Sequence, residues 1–321
     1  MFINILLLMV GFVILVKGAD FLVNGASSVA RRFNISTLVI GLTIVSFGTS
    51  APELTVNLIA AFSREDLSEA VFGNIIGSNL FNLFFILGVS GVIYPLVVQR
   101  DTVRIEVPIS LIATMVLFLL VNDQLVFGRS SNALDRADGL ILLLAFSGFM
   151  YYIFLSMRRQ SDYDESPKKI YSVGVSSLMI LGGLAALIGG GTLVTNNAVA
   201  IAEVAGLSKK LIGLTILAVG TSLPELATSA VAAYRKSTDI AIGNVVGSNI
   251  FNILGVLGIN GTLKYIPYNS ILNTDILLLG AGTVLLLIFM FTLNTRKLDR
   301  WEAVILVASY IAYTAYLINR N

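Results

Sequence analysis

Apolar residues run along this chain in long blocks separated by short polar turns. A block of about 20 mostly apolar residues is what an α-helix needs to cross the hydrocarbon of a bilayer. The blocks predict ten such helices, near 2–23, 36–62, 70–94, 104–121, 136–157, 172–194, 208–234, 239–263, 271–293 and 300–319. The first, Phe2 to Val16 at its core, has no basic residues before it and no convincing small-x-small site after it, so it reads as a transmembrane helix and not as a cleaved signal. The longest polar stretch, MRRQSDYDESPKK at 157–169, divides the chain into a five-helix half at 1–157, a linker at 158–171 and a second five-helix half at 172–321.

The two halves repeat each other. LVIGLTIVSFGTSAPEL (38–54) corresponds to KLIGLTILAVGTSLPEL (210–226), and FGNIIGSNLFN (72–82) to IGNVVGSNIFN (242–252). Two motifs in matching order and spacing indicate an internal duplication. Five is odd, so the second copy enters the membrane from the opposite side, the inverted-repeat plan of many secondary transporters. The expected architecture is all-α and polytopic, ten transmembrane helices in two inverted repeats. With the N-terminus outside, the majority of loop Lys and Arg, including Arg31, Arg32, Arg100, Arg104, Arg235 and Lys236, fall on the cytoplasmic side, which favours external N- and C-termini in a multi-pass protein of the cell membrane. Lys209 and Lys210 fall on the minority side.

Composition agrees and excludes several classes. Hydrophobic residues make up 56% and charged residues only 12%, about half the charge of a soluble domain. A net charge of +2 without a basic patch gives nucleic acid nothing to bind. Neither Cys nor His is present, which removes disulfides, thiolate nucleophiles, zinc-protease motifs, serine triads and histidine proton relays.

The chemistry lies in GTSAPE (48–53) and GTSLPE (220–225), each in the middle of an apolar span. Pro removes a backbone donor and Gly permits unusual angles, so each helix should break there and expose carbonyl oxygens at mid-membrane depth. Beside each break stands an acid, Glu53 or Glu225. A charge at the bilayer centre costs about 2.5–3.5 kcal/mol, and no Lys or Arg lies within either helix core. A cation from solution is the natural partner. Thr49, Ser50, Thr221 and Ser222 add hard oxygens, as do Ser78, Asn82, Ser248 and Asn252, with Ser and Asn four apart on one helix face. Such donors suit calcium or sodium better than copper, zinc or magnesium.

Small and polar residues also serve simply to pack membrane helices; the Gly73–Gly77 and Gly243–Gly247 spacings fit that use, but packing has no need of buried acids. Asp20 has Thr192 as its repeat counterpart, so symmetry gives it no support as a ligand; it reads as a helix-end residue, with Lys17 in reach as a partner. Asp162, Asp164 and Glu165 read as a solvated loop.

These paired motifs resemble the α-repeats of the cation/calcium antiporter superfamily, specifically the prokaryotic sodium/calcium exchanger type, over nearly the whole chain. The resemblance implies that Glu53 and Glu225 are central ligands shared by calcium and sodium, and that Thr49, Ser50, Thr221 and Ser222 complete central and flanking sites. It also implies that the carbonyls of Ser46 and Ala218 help outer and inner sodium sites, that Ser78 and Ser248 ligate flanking sodium ions, and that Asn82 and Asn252 line the centre. Potassium-dependent members have Asp where this chain has Asn252, so the site carries two formal negative charges and potassium co-transport is not expected. Animal members hold large calcium-sensing domains between the halves; residues 158–171 are too few for one.

The expected activity is therefore exchange of sodium for calcium by alternating access, with the ions as transported substrates, no cofactor, no enzymatic reaction and no obligate protein partner. A proton/calcium antiporter is the nearest alternative, since buried carboxylates also carry protons, although proton-coupled relatives show GNxxE where this chain has GTSxPE. An intramembrane enzyme would want a DDxxD cluster or paired catalytic acids, which are absent; a channel fits poorly with two inverted copies around occluded acids.

Overall fold

The computed structural model describes residues 1–62, 68–128, 130–157, 170–205, 218–292 and 296–320. The linker with Asp162, Asp164 and Glu165, the loop residues Arg64, Arg129, Lys209 and Lys210, and most of the first half of the seventh expected helix lie outside these. The chain is built from helices: α1 (Phe2–Phe33), the bent pair α2 (Thr37–Thr49) and α3 (Ala51–Phe62), α4 (Ser68–Leu80, continuing through Phe81–Ile86 to Leu87–Ile93), α5 (Thr102–Val121), α6 (Asp123–Phe127) and α7 (Arg136–Ser156). Then come α8 (Val173–Val204), the short α9 (Ala218–Gly220), α10 (Leu223–Tyr234), α11 (Thr238–Leu263), α12 (Ser270–Phe289) and α13 (Arg300–Arg320). Among the described residues, 8 helices are long and apolar enough to span a membrane, and the bent pair α2–α3 makes a ninth.

Two helices are longer than their apolar blocks. α1 runs to Phe33 instead of ending near residue 23, and α8 to Val204 instead of 194. The extension of α1 packs against the start of α8. The two helices lie antiparallel along their length, Gly11, Gly18 and Gly25 facing Gly190, Gly183 and Ser176. A Cβ on Gly18 would stand 3.0 Å from the Gly183 carbonyl oxygen, and one on Gly183 would stand 2.8 Å from that of Gly18. Only glycine lets the backbones come this close, and in lipid, close van der Waals contact is what drives helices together. Ser28 Oγ meets Ser176 Oγ at 2.9 Å, and Asn34 ends α1 in a left-handed turn at φ 57°.

α4 and α11 form the enclosed centre, with α11 buried throughout its apolar span. The close packing expected of Gly243 and Gly247 is present: added Cβ atoms would meet the Leu38 carbonyl at 2.9 Å and Ser46 Oγ at 2.7 Å. A Cβ added at Gly73 or Gly77 would meet no described atom within 4 Å; most of the repeat counterpart of α2 falls among residues 206–217, outside those described. Each of α4 and α11 loosens into a π-helical stretch, Phe81–Ile86 and Phe251–Leu257, beside the site, a feature that often accompanies function.

Short strands not expected from the hydropathy tie the halves together. β1 (Leu96–Val97) pairs antiparallel with β4 (Lys297–Leu298), and β2 (Ala133–Leu134) with β3 (Ile266–Pro267). Each pairing joins a loop of one half to a loop of the other. Asp20 is not partnered by Lys17: Arg235, at the end of α10, donates from Nε to Asp20 Oδ1 at 2.6 Å and forms an ion pair with it, while its Nη1 bonds Asn24. An Arg from a distant element outcompetes a Lys on the same helix because its fork meets the carboxylate and the neighbouring amide at once.

Candidate ion-binding site

The two GTS-x-PE segments break as their residues require. α2 ends at Thr49, Ser50 takes φ −85° and ψ 8°, and α3 restarts with Pro52 in its first turn, the two axes bending by 44°. The second break repeats this backbone: Ser222 sits at φ −90° and ψ 8°, followed by Pro224 in the first turn of α10. Pro suits a first turn, where its missing N–H would have no partner anyway. The serine in each break is thus the pivot, and the glutamate one turn beyond it, Glu53 or Glu225, points back toward the centre.

What the breaks bring together is a crossed set of hydrogen bonds. Ser50 Oγ, from the first break, donates to Glu225 Oε1 of the second at 2.7 Å. Ser222 Oγ, from the second, donates to Glu53 Oε1 of the first at 3.0 Å. Ser248 Oγ lies 2.9 Å from Ser50 Oγ, and Ser78 Oγ lies 3.1 Å from Ser222 Oγ and 3.4 Å from Glu53 Oε1. All six side chains are buried, the two glutamates at 0% and 1% exposure. The second oxygen of each acid, Oε2 of Glu53 and of Glu225, has no hydrogen-bond partner among the described residues. No described Lys or Arg forms an ion pair with either acid.

Asn82 and Asn252 complete the centre through partners that sequence reasoning missed. Asn79 and Asn249 bond each other across the centre, each amide donating to the other's backbone carbonyl at 3.1 and 3.2 Å. Their side-chain oxygens accept the amides of Asn252 (3.0 Å) and Asn82 (3.1 Å). That fixes which way Asn82 and Asn252 face, and their Oδ1 atoms are left without partners. Asn74 and Asn244 brace the breaks from outside: Thr49 Oγ1 bonds Asn244 at 3.0 Å and Thr221 Oγ1 meets Asn74 at 3.5 Å. Asn244 also holds Ser229 and the Glu225 carbonyl, and Asn74 holds Asn57. All four extra asparagines stand inside the duplicated GNxxGSNxFN motif, so the repetition itself was the available signal.

The remaining expected residues are placed less directly. The Ser46 carbonyl faces α11 and takes donors from Ser50 N (2.9 Å), Thr49 Oγ1 (3.2 Å) and Ser248 Oγ (3.4 Å). The threonine hydroxyls also reach the asparagines, Thr49 to Asn244 and Thr221 to Asn74. Ala218 begins the short α9 that leads into the second break.

Chemically, the centre offers four unpartnered buried oxygens, two from carboxylates and two from amides, with hydroxyls around them. No group of three or more His, Cys, Asp or Glu among the described residues makes a metal-holding cluster. The donor set is therefore hard and carries two charges at most, which matches a calcium ion or sodium ions that enter and leave.

Comparison with known proteins follows the same line. The sodium/calcium exchanger protein family matches residues 3–155 and 175–319. The putative antiporter CaxA of Alkalimonas amylolytica is 36% identical over 98% of both chains. The sodium/calcium exchanger MaX1 of Methanosarcina acetivorans is 31% identical, also over 98% of both. A solved structure of the sodium-calcium exchanger NCX_Mj superposes with a TM-score of 0.82 at 29% identity, covering 97% of this chain and 98% of that one.

Proposed function

Because the chain belongs to the sodium/calcium exchanger protein family, whose work is cation/calcium antiport across a membrane, we propose that it couples calcium movement to sodium by alternating access. Glu53 and Glu225 are the shared ligands. Ser50, Ser222, Ser78, Ser248, Asn82 and Asn252 supply further oxygens, and Thr49, Thr221 and the carbonyls of Ser46 and Ala218 line the flanking positions. The observation that carries this reading is the crossed pair of acids, each hydrogen-bonded by the serine of the opposite break and, among the described residues, each with one bare oxygen and no basic partner.

Bare, the site would hold two carboxylates in low dielectric, which makes crossing the membrane-centred barrier costly. One calcium ion, or sodium ions in its place, removes that cost. Only loaded carriers then convert between the two access states, and exchange is obligatory. The cargo bridges the two repeats, because each carboxylate is anchored to the other half.

The same reading assigns ten spans in two inverted repeats, 1–157 and 172–321 joined by 158–171, with both termini outside the cell. The antiparallel glycine seam of α1 with α8 and the reciprocal β1–β4 and β2–β3 pairs support it. The deciding experiment is radioactive calcium uptake into proteoliposomes with sodium, potassium and proton gradients imposed one at a time. Uptake driven by sodium alone is expected; uptake driven only by a proton gradient with sodium absent would replace sodium by proton coupling.

A further inference from the structure

Among the buried acids outside this cluster, one stands without a described counter-charge. Glu106, near the start of α5, is 2% exposed. Its Oε1 accepts the hydroxyl of Tyr152 from α7 at 2.6 Å, and its Oε2 has no hydrogen-bond partner among the described residues. Thr102, on the turn before it and 1% exposed, also has an unpartnered hydroxyl. Among the described residues no basic side chain forms an ion pair with Glu106, and the neighbouring Arg100 and Arg104 are exposed at the surface.

The second half treats the buried acid near the start of its matching helix differently. Asp275, near the start of α12, is held by both terminal nitrogens of Arg320 at 3.1 and 2.9 Å, and also accepts the Tyr313 hydroxyl at 3.1 Å. The tyrosine on a neighbouring helix is common to both halves, whereas the arginine is not. The other acids around α5 only add negative charge or already have partners. Asp101 begins the same segment and adds repulsion, Asp275 on the adjacent α12 is committed to Arg320, and Asp239 at the start of α11 is bonded by Gln99 and Thr37.

An isolated carboxylate in such surroundings is neutralised in one of two ways, by a metal ion or by a proton. A calcium ion takes 6–8 oxygens, about three times the two spare ones here. We propose that Glu106 is a proton-binding site separate from the ion cluster: it sits in the membrane as the neutral acid, accepting from Tyr152 on Oε1 and carrying its proton on Oε2, with Thr102 Oγ1 as the available acceptor. The proton does for Glu106 what Arg320 does for Asp275. Stripping it leaves a bare charge between α5 and α7, so the contact between these two helices becomes sensitive to alkaline pH independently of the transported ions.

The test is infrared difference spectroscopy of the full-length protein in lipid at neutral pH, native against Glu106→Gln. Loss of one carboxylic-acid carbonyl band, with the carboxylate bands unchanged, is the expected result; loss of a carboxylate band instead overturns the proposal. Should the variant fail to fold, the unsubstituted protein answers by itself. Dicyclohexylcarbodiimide adds only to protonated acids, so calcium-loaded protein treated at neutral pH should carry the adduct on Glu106 by peptide mass spectrometry. A Glu106 peptide that stays unmodified sinks the idea.

Discussion

Replacing Glu53 by Gln tests the central claim because two effects of opposite sign should appear together. The substitution preserves shape, and the Gln oxygen still accepts from Ser222 at 3.0 Å and Ser78 at 3.4 Å. What it removes is one buried charge. In a sodium- and calcium-free buffer alkaline enough to keep Glu53 ionised, that charge costs about 2.5–3.5 kcal/mol at membrane depth; after discounting the stronger hydrogen bonds that a carboxylate makes, the ion-free variant should be more stable by about 1 kcal/mol. With calcium the order reverses. Breaking a buried charge pair by removing one partner costs about 3–5 kcal/mol, which weakens calcium binding by at least a factor of about 100. At calcium near 100 times the native dissociation constant, binding stabilises the native protein by about 2.7 kcal/mol and the variant, with its constant raised at least 100-fold, by about 0.4 kcal/mol or less. Thermal unfolding in detergent with and without calcium reads both quantities, and radioactive calcium flux should be abolished. A variant that is less stable without ions and keeps the full calcium shift would mean that Glu53 holds the fold together and does not hold cargo.

Other predictions address the surrounding frame. Asn249→Leu removes the amide that bonds the Asn79 carbonyl and the oxygen that accepts from Asn82; leaving those buried groups unpaired should cost about 1–3 kcal/mol each and weaken calcium binding even though Asn249 has no unpartnered oxygen of its own. Calcium titration of the purified variant checks this, and unchanged affinity would separate the clamp from the site. Gly18→Ala places a methyl 2.9 Å from the Ala186 Cβ and 3.0 Å from the Gly183 carbonyl, an overpacking expected to cost about 1–3 kcal/mol and to lower the melting temperature in detergent. Arg320→Gln strands Asp275, whose side chain is 3% exposed, and should destabilise by about 3–5 kcal/mol; adding Asp275→Asn should restore most of that loss in the same unfolding assay.

Much of this protein was legible in one dimension. Apolar blocks long enough to cross hydrocarbon mark helices wherever they occur, because lipid offers backbone groups no alternative partner. Duplicated GTS-x-PE and GNxxGSNxFN segments marked the acids, the breaks and most of the oxygens, since a buried acid beside Pro within an apolar run has few structural uses. Hydropathy could not set where α1 stops: its extension carries Gly25 and Ser28 against Ser176 of α8, a residue far along the sequence. Nor could it pair Asp20 with Arg235 over Lys17, or find the two-residue strands, whose partners lie in the opposite half. The crossing of the site belongs to this second class. Sequence order puts Ser50 beside Glu53, yet the folded chain gives its hydroxyl to Glu225, because a helix break turns adjacent side chains apart and only the facing repeat can meet them.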